Sequence, residues 1–196
     1  MNRLAREFYR QDVISVARGL LGKLFIRDAG GRSLCGRIVE VEAYDHPGDP
    51  AAHSYNGETK RNRVMFGDGG FLYVYFIYGI HHCLNVVTGR PGEGKAVLLR
   101  GLEPVRGIEE MSLNRYGRKI SNDREYVNLL NGPAKIAKAF KTDLRFNGED
   151  LCNGDFCIAD DACPESFETA VSPRIGISKG KEMHLRFFIK NSPFVS

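Results

Sequence analysis

The sequence of 196 residues lacks tryptophan, a long apolar run and a large excess of charge of either sign. Its longest apolar run, 71–80, includes three tyrosines and is only half as long as the ~20 residues that a membrane helix needs. Lys and Arg number 28 and Asp and Glu number 24, so the net charge is +4. This excess is too small to identify a partner. We therefore expect a water-soluble globular protein without a membrane segment.

Cysteine is scarce and does not form a disulfide framework. The five cysteines are odd in number and irregularly spaced: Cys35, Cys83, Cys152, Cys157 and Cys163. The chain also begins without the apolar stretch of a signal peptide, so we expect reduced thiols inside a cell. The last three cysteines could imitate a zinc site together with His184, but the short two-residue gap of such motifs is missing. We therefore expect no metal.

The first half of the chain has strand and turn signals. Asp12 is placed to cap a short amphipathic helix that ends near Gly19 or Gly22. Alternating apolar residues predict strands at 24–27, 36–44 and 95–102, with a turn at the glycine pair 30–31. Two further strands, 71–78 and 82–87, are close enough to form a hairpin with Tyr78 at its tip.

The second half mixes helices and strands. Helices are predicted over 105–116 and over 132–140, where Pro133 suits a first helical turn. The segment 185–190 is rich in strand-forming residues. The polar, glycine-containing segment 147–172 predicts a long surface excursion.

Two glutamates on one predicted strand are candidates for acid–base chemistry. Alternate residues of a strand face the same side, so Glu40 and Glu42 point together with Ile38 and Tyr44. A carboxylate near a rigid strand end is suited to act as a general base. The alternative is a solvated pair without a function.

Six motifs, in order, resemble the alkyladenine (3-methyladenine) DNA glycosylase family. They lie at 40–44 (EVEAY), 51–54 (AAHS), 61–66 (RNRVMF), 72–79 (LYVYFIYG), 84–85 (LN) and 97–100 (VLLR). The segments 131–135 (NGPAK) and 192–196 (SPFVS) extend the resemblance to the end of the chain. Six motifs in one order are far more specific than any single motif.

The resemblance implies an α+β fold. We expect one compact catalytic domain over 1–196, with a mostly antiparallel curved β-sheet, a protruding β-hairpin and surrounding helices. It also implies a base excision repair enzyme, without a metal or another cofactor, whose partner is double-stranded DNA with damaged purines. We expect a monomer that acts in the cytoplasm, at a bacterial nucleoid, or in a nucleus.

The resemblance implies specific catalytic roles. Glu42 corresponds to the general base that deprotonates the attacking water, and Arg100 to a residue that helps to hold that water. Glu40 is expected to be structural. No lysine occupies this motif, so the enzyme should be monofunctional and leave an abasic site without cutting the strand.

The resemblance also implies how a damaged purine is taken out of the duplex. Tyr78 corresponds to the wedge that fills the gap through the minor groove, whereas Tyr73 is expected to be a core residue. The base pocket is expected to consist of aromatic faces, which favour a cationic alkylated purine, and an asparagine that rejects guanine: Tyr44, His53, Tyr75 and Asn85. The adjacent His81 and His82 depart from the aromatic and apolar residues expected beside the wedge.

A cluster of cations predicts the contact with the DNA backbone. Three cations occur within four residues, and we expect phosphate contacts from Thr59, Lys60, Arg61 and Arg63. The alternative for this cluster is a solvated loop.

Two other functions compete with the glycosylase. A metal hydrolase could use Glu42, His53, His81 and His82, but adjacent histidines of a strand face opposite sides and do not easily enter one tetrahedral site. A non-catalytic DNA-bending protein could use Tyr78 only to intercalate. Glu42 argues against this binding protein, because a protein that only binds has no need for a carboxylate aimed near phosphates, where it would repel the DNA.

Overall fold

A computed structural model describes residues 2–161 and 166–196 of the chain. Within these residues there are five helices: α1 (Arg6–Tyr9), α2 (Val13–Leu20), α3 (Ile108–Tyr116), α4 (Asp123–Val127) and α5 (Pro133–Ala139). There are nine strands: β1 (Leu24–Ala29), β2 (Arg32–Tyr44), β3 (Phe71–Ile77), β4 (His81–Thr88), β5 (Lys95–Arg106), β6 (Glu149–Asp150), β7 (Phe156–Ala159), β8 (Thr169–Ser172) and β9 (Arg186–Ile189). Two short 3₁₀ turns lie at Arg63–Phe66 and Leu144–Phe146.

All nine strands belong to one antiparallel sheet. Its main order is β6-β3-β4-β5-β2-β1-β7, and β9 pairs with both β2 and β8. The sheet curves until its end strands β6 and β7 contact each other, so it is nearly closed. This architecture confirms the predicted α+β domain with a curved antiparallel sheet.

The helices cover the core of the sheet. The Asp12 side chain accepts a hydrogen bond from the Ser15 N–H and caps α2, as the sequence predicted. Apolar faces of α2, α3 and α5 pack on the central strands and form one large hydrophobic core. This core includes Phe25 and Phe140, whose ring centroids lie 5.1 Å apart. No helix of the described residues is long and apolar enough to span a bilayer.

Two predicted elements differ from the structure. The helix predicted over 105–116 begins only at Ile108, because β5 continues to Arg106, where it pairs with Cys35 of β2. Gly107, with a left-handed φ of 77°, separates the strand from the helix. The predicted surface excursion 147–172 is wrong in part, because β7 within it is completely buried and pairs with β1.

Four of the five cysteines lie in described residues, and all four are free. Cys35, Cys83 and Cys157 are buried and Cys152 is half-buried. The fifth, Cys163, lies outside the described residues, so the structure does not test the three-cysteine zinc alternative. Among the described residues no group of three or more His, Cys, Asp or Glu side chains is arranged to hold a metal ion.

The turn of the β3–β4 hairpin is exposed to solvent. Tyr78 at the tip is 80% exposed and adopts a left-handed backbone with φ of 54°. Such a φ is uncommon for a residue other than glycine. Ile80, in the same turn, is also exposed. The hairpin therefore presents two large apolar side chains that are not used in the core.

Candidate active site

A cavity of about 580 Å³ opens between β2, β5, the hairpin, the start of α5, the loop 45–66 and the segment 175–179. This volume is typical of a pocket for a small organic group. Six of the side chains predicted for the site line the cavity: Tyr44, His53, Tyr75, Tyr78, Asn85 and Arg100. The curvature of the sheet brings these residues together from β2, β3, β4, β5 and two loops.

Glu42 lies behind the cavity wall and has no exposed surface. Its Oε1 accepts a hydrogen bond of 2.7 Å from the Ile175 N–H, and its Oε2 accepts one of 3.0 Å from the Tyr44 hydroxyl. Arg100 Nε lies 3.5 Å from Oε1. Tyr44, Arg100 and Ile175 all line the cavity, so three of its wall residues contact this carboxylate.

The environment of Glu42 changes its proton affinity. Burial raises the pKa of Glu42 above its usual value of 4.5, because a charged carboxylate is poorly solvated in the interior. Arg100, the Ile175 N–H and the Tyr44 hydroxyl oppose this effect, and the Glu40 charge adds to it. A carboxylate with these neighbours can both accept and release a proton.

Glu40 has a different set of partners. Arg186 Nε donates to its Oε1 at 2.5 Å, and the Ser196 N–H donates to its Oε2 at 2.7 Å. Arg100 Nε lies 3.4 Å from Glu40 Oε1, so Arg100 lies between the two carboxylates. Glu40 therefore ties the end of the chain and β9 to β2, and its charge lies beside Arg100.

The aromatic wall of the cavity is held by a residue that the sequence did not predict for the site. The Tyr73 hydroxyl lies 3.1 Å from His53 Nδ1, and the His53 ring meets Tyr75 edge-on at a centroid distance of 4.5 Å. Tyr73 is buried in the core, as expected, but it also lines the cavity. Alternation along β3, which places 73 and 75 on one face, is the signal that could have found it.

Two asparagines support this wall. Asn85 is buried, and its Nδ2 donates to the Tyr73 carbonyl at 3.2 Å. Asn62 Nδ2 donates to the His53 carbonyl at 2.8 Å.

Partial desolvation and the nearby Arg61 cation lower the pKa of His53, although the residue retains exposed surface. A neutral imidazole is therefore favoured at the cavity rim.

The predicted DNA-backbone residues form an exposed loop beside the hairpin. Arg61 donates to the Phe76 carbonyl of β3 at 3.1 Å, and Arg63 lies 3.2 Å from Glu58. The Thr59 N–H donates to the Asn62 side chain at 2.6 Å. Thr59 and all three cations of the loop are exposed. None of these residues lines the cavity among the described side chains, so they form a separate surface next to it.

A fully buried ion pair lies next to Tyr44, one of the residues that line the cavity. Arg174 Nη2 donates to Asp49 Oδ1 at 2.7 Å, Nη1 donates to Asp49 Oδ2 and to the Ala43 carbonyl, and neither charged side chain has any exposed surface. The guanidinium lies 4.6 Å from the centre of the Tyr44 ring. The sequence did not predict this pair, because its members are 125 residues apart and neither residue belongs to a motif used above.

The paired histidines diverge. His81 lines the cavity and is exposed, whereas His82 is half-buried with its ring 5.0 Å from Phe76. His81 pairs with Ile77 and His82 with Phe76 across the hairpin. Successive residues therefore face opposite sides of the strand, the geometry that argues against a shared metal site.

Comparisons with known proteins agree over nearly the whole chain. A family model described as Methylpurine-DNA glycosylase matches residues 7–193. A relative from Carboxydothermus hydrogenoformans is 47% identical over 194 residues, covering 98% of each chain. Relatives from Clostridium novyi (strain NT) and Legionella pneumophila (strain Corby) are 44% and 42% identical, each covering 100% of this chain and 99% of the relative.

All three relatives carry the name "Putative 3-methyladenine DNA glycosylase". The match spans every element that builds the cavity, from β2 to the segment 175–179. The chain therefore belongs to the methylpurine-DNA glycosylase family and is a DNA glycosylase, a hydrolase of base excision repair.

Proposed function

We propose that the protein hydrolyses the N-glycosidic bond of alkylated or deaminated purines in double-stranded DNA with a water molecule activated by Glu42. The proposed substrates are 3-methyladenine, 7-methylguanine, hypoxanthine and ethenoadenine. One observation supports the proposal most strongly: a buried carboxylate directly contacts three residues that line the cavity.

The proposed reaction begins at this carboxylate. Glu42 accepts a proton from water as the water oxygen forms a bond to the sugar C1′, and Arg100 holds the water. The C1′–N bond breaks and its electron pair leaves with the base. A cationic purine becomes neutral as it departs, whereas a neutral purine requires a proton in the transition state. The other product is an abasic site.

Base flipping supplies the substrate to the cavity. A glycosylase cannot reach this bond inside a stacked duplex. We propose that the extruded base stacks on Tyr44, His53 and Tyr75, whose electron-rich faces attract a cationic purine by roughly 0.5–2 kcal/mol per contact. Asn85 would crowd the exocyclic amino group of guanine. The hydrogen bonds to His53 and Asn85 support this assignment, because they fix the wall before DNA binds.

The hairpin and the neighbouring loop are proposed to hold the DNA. Tyr78 would enter the duplex through the minor groove and fill the gap left by the base. Thr59, Lys60, Arg61 and Arg63 would contact phosphates. The proposal is supported by the exposure of all five side chains and by the hydrogen bond that fixes the loop to β3.

The remaining expectations are part of the same proposal. We propose that 1–196 acts as one catalytic domain and as a monomer, in the cytoplasm at a bacterial nucleoid or in a nucleus. No step above requires a metal or cofactor, because water is the nucleophile and Glu42 is the base.

Incubation with a duplex that contains one lesion tests the function. The account predicts that strands break only after alkali treatment, because alkali cleaves abasic sites. Intact strands after alkali would instead indicate a DNA-bending protein.

The same assay tests the monofunctional assignment. Lys179 lines the cavity and is exposed, so an amine is available at its wall. We expect no strand break without alkali. A break that is lost in Lys179→Met would show that this lysine forms a Schiff base and would overturn the assignment.

A further inference from the structure

The Arg174–Asp49 pair contacts the neighbours of the proposed base, Glu42, from two directions. Arg174 Nη1 donates to the carbonyl of Ala43, the residue between Glu42 and Tyr44. Its guanidinium also covers the Tyr44 ring, and Arg174 is not among the residues that line the cavity. The cation therefore supports Tyr44 from the side opposite the cavity.

The second direction is the backbone. Ile175 follows Arg174 in the chain, and its N–H donates to Glu42 Oε1 at 2.7 Å. Because Asp49 holds the Arg174 side chain through both carboxylate oxygens, it fixes the start of the segment 174–180. Its residues 175–179 line the cavity.

We propose that Arg174, held by Asp49, is a positioning residue that keeps the Tyr44 hydroxyl and the Ile175 N–H on the Glu42 carboxylate. This inference rests on the proposed role of Glu42 as the base. It assigns a function to an ion pair that contacts neither the DNA nor the proposed water.

The charges around Glu42 determine the direction in which loss of Arg174 should change its protonation. The charged and titratable groups that face its carboxylate are Arg100 of β5, Tyr44 and Glu40 of β2, and Arg174. Hydrogen bonds to a carboxylate and a nearby cation both favour its ionised form. Loss of Arg174 removes the cation and loosens two of these hydrogen bonds, so protonation of Glu42 should become easier.

A second arginine provides a matched control. Arg6 Nη2 donates to Asp150 Oδ1 at 2.7 Å, Arg6 Nη1 donates to the Gly69 carbonyl at 2.8 Å, and its guanidinium lies 4.6 Å from the centre of Phe71. These contacts are of the same kinds as those of Arg174, although Arg6 makes one hydrogen bond fewer and its ion pair is partly exposed. Neither Arg6 nor Asp150 lines the cavity. Arg6→Met therefore removes a comparable tie without touching Glu42.

The experiment compares single-turnover excision of 7-methylguanine from pH 5 to 9 by the wild type, Arg174→Met and Arg6→Met. Arg174→Met should be slower at low pH, and its acidic limb should move to higher pH. Arg6→Met should keep the wild-type midpoint even if its Tm falls. A wild-type midpoint in folded Arg174→Met, or an equal shift in Arg6→Met, would overturn the inference.

Asp49→Asn provides the second and milder variant, because deletion of the Arg174 side chain leaves a buried, unpaired carboxylate that can prevent folding. It keeps one oxygen acceptor for Arg174 but loses one of the two hydrogen bonds that hold the guanidinium. The looser Arg174 should then move the acidic limb to higher pH, in the same direction as Arg174→Met and by less. An unchanged midpoint in Asp49→Asn, or a shift to lower pH, contradicts the inference. Failure of the proposed function is distinguishable, because Glu42→Gln would then remain active.

Discussion

The Glu42 carboxylate is completely removed from solvent, although its proposed reaction needs an ionised group beside a water molecule. Burial disfavours its ionised form, and the surrounding donors only partly offset this effect, since the pKa of Glu42 remains raised. Ionisation of Glu42 therefore lowers the free energy of unfolding of the protein. This conflict is typical of catalytic groups.

Glu42→Gln should therefore stabilise the protein at neutral pH. The folded pKa lies above the unfolded value of about 4.5, so the wild type loses stability as the pH rises through this interval and remains penalised above it. The neutral amide avoids this penalty. We expect a higher Tm for the variant at pH 7, by roughly 2–4 °C per kcal/mol relieved.

Thermal unfolding at several pH values checks this sign. The difference in Tm should vanish below the ordinary glutamate pKa, where the wild-type carboxyl is protonated in both states. A variant that is less stable than the wild type at pH 7 would show that the ion pair with Arg100 outweighs desolvation.

The pH dependence of base excision should differ between lesions. A cationic purine needs only the base, so its excision should show one acidic limb due to Glu42, placed above the usual range by the raised pKa. Neutral hypoxanthine also needs a proton donor and should give a bell-shaped profile. Single-turnover rates from pH 5 to 9 on both lesions measure this. The same bell for both would imply a shared acid, with His53 at the cavity rim as the first candidate.

At the scale of elements, the hairpin is built for a contact outside the core. The residues of β3 and β4 away from the turn, 72–74 and 83–88, are buried, whereas Phe76 and the tip residues Tyr78 and Ile80 are exposed. An exposed aromatic side chain on a turn is suited to insertion between base pairs.

Tyr78→Ala should weaken capture of a lesion more than binding to undamaged DNA, since the wedge is needed only when a base leaves the stack. Loss of stacking predicts a change of roughly 1–3 kcal/mol for the lesion duplex. Leu113→Ala removes an exposed apolar side chain on α3 and is the control. Affinities for both duplexes provide the measurement, and equal losses on both would contradict the wedge.

Much of this element layout could be predicted from the sequence, because alternation marks strands such as β2 and β3 and Asp12 marks the start of α2. β7 was missed because four apolar residues inside a polar segment are too short to show a period. The start of α3 was misplaced because β5 crosses Pro104 and pairs onward to Arg106. Pairing with another strand is not a local signal.

In the candidate site, too, local motifs reveal some residues, whereas others come together only in the folded protein. Tyr44 and Tyr75 could be found from their motifs, whereas Ile175 contributes a backbone N–H that no side chain reveals. Arg174 and Asp49 meet only after the chain has folded. Sequence motifs therefore predicted much of the cavity wall, including Tyr44 and Arg100, but not the Ile175 N–H on Glu42 or the buried ion pair beside Tyr44.

At the scale of the whole molecule, the distribution of charge matters more than its total. A net charge of +4 is modest, but Lys60, Arg61 and Arg63 concentrate cations next to the cavity and the wedge. Each phosphate that such a surface neutralises releases counterions. Binding should therefore depend on this loop more than on other surface cations.

DNA affinity should fall steeply with salt, with a slope in log–log form near −0.9 per phosphate contact. Lys60→Ala should reduce the steepness by about 0.9. Lys119→Ala, which removes an exposed cation paired with Glu109 at 2.7 Å, is the control and should leave the slope unchanged. Binding titrations at several salt concentrations measure both slopes. Equal slopes for the wild type and Lys60→Ala would remove Lys60 from the phosphate surface.

The central claim is that Glu42 activates the water, and the most direct measurement is single-turnover base release by Glu42→Gln on a single-lesion duplex. General-base catalysis is typically worth about 10²–10⁴-fold, and the account predicts a loss of at least this size. Binding to DNA with an abasic analogue should persist, because the wedge and phosphate surface are intact. Base release within tenfold of the wild type would contradict the account.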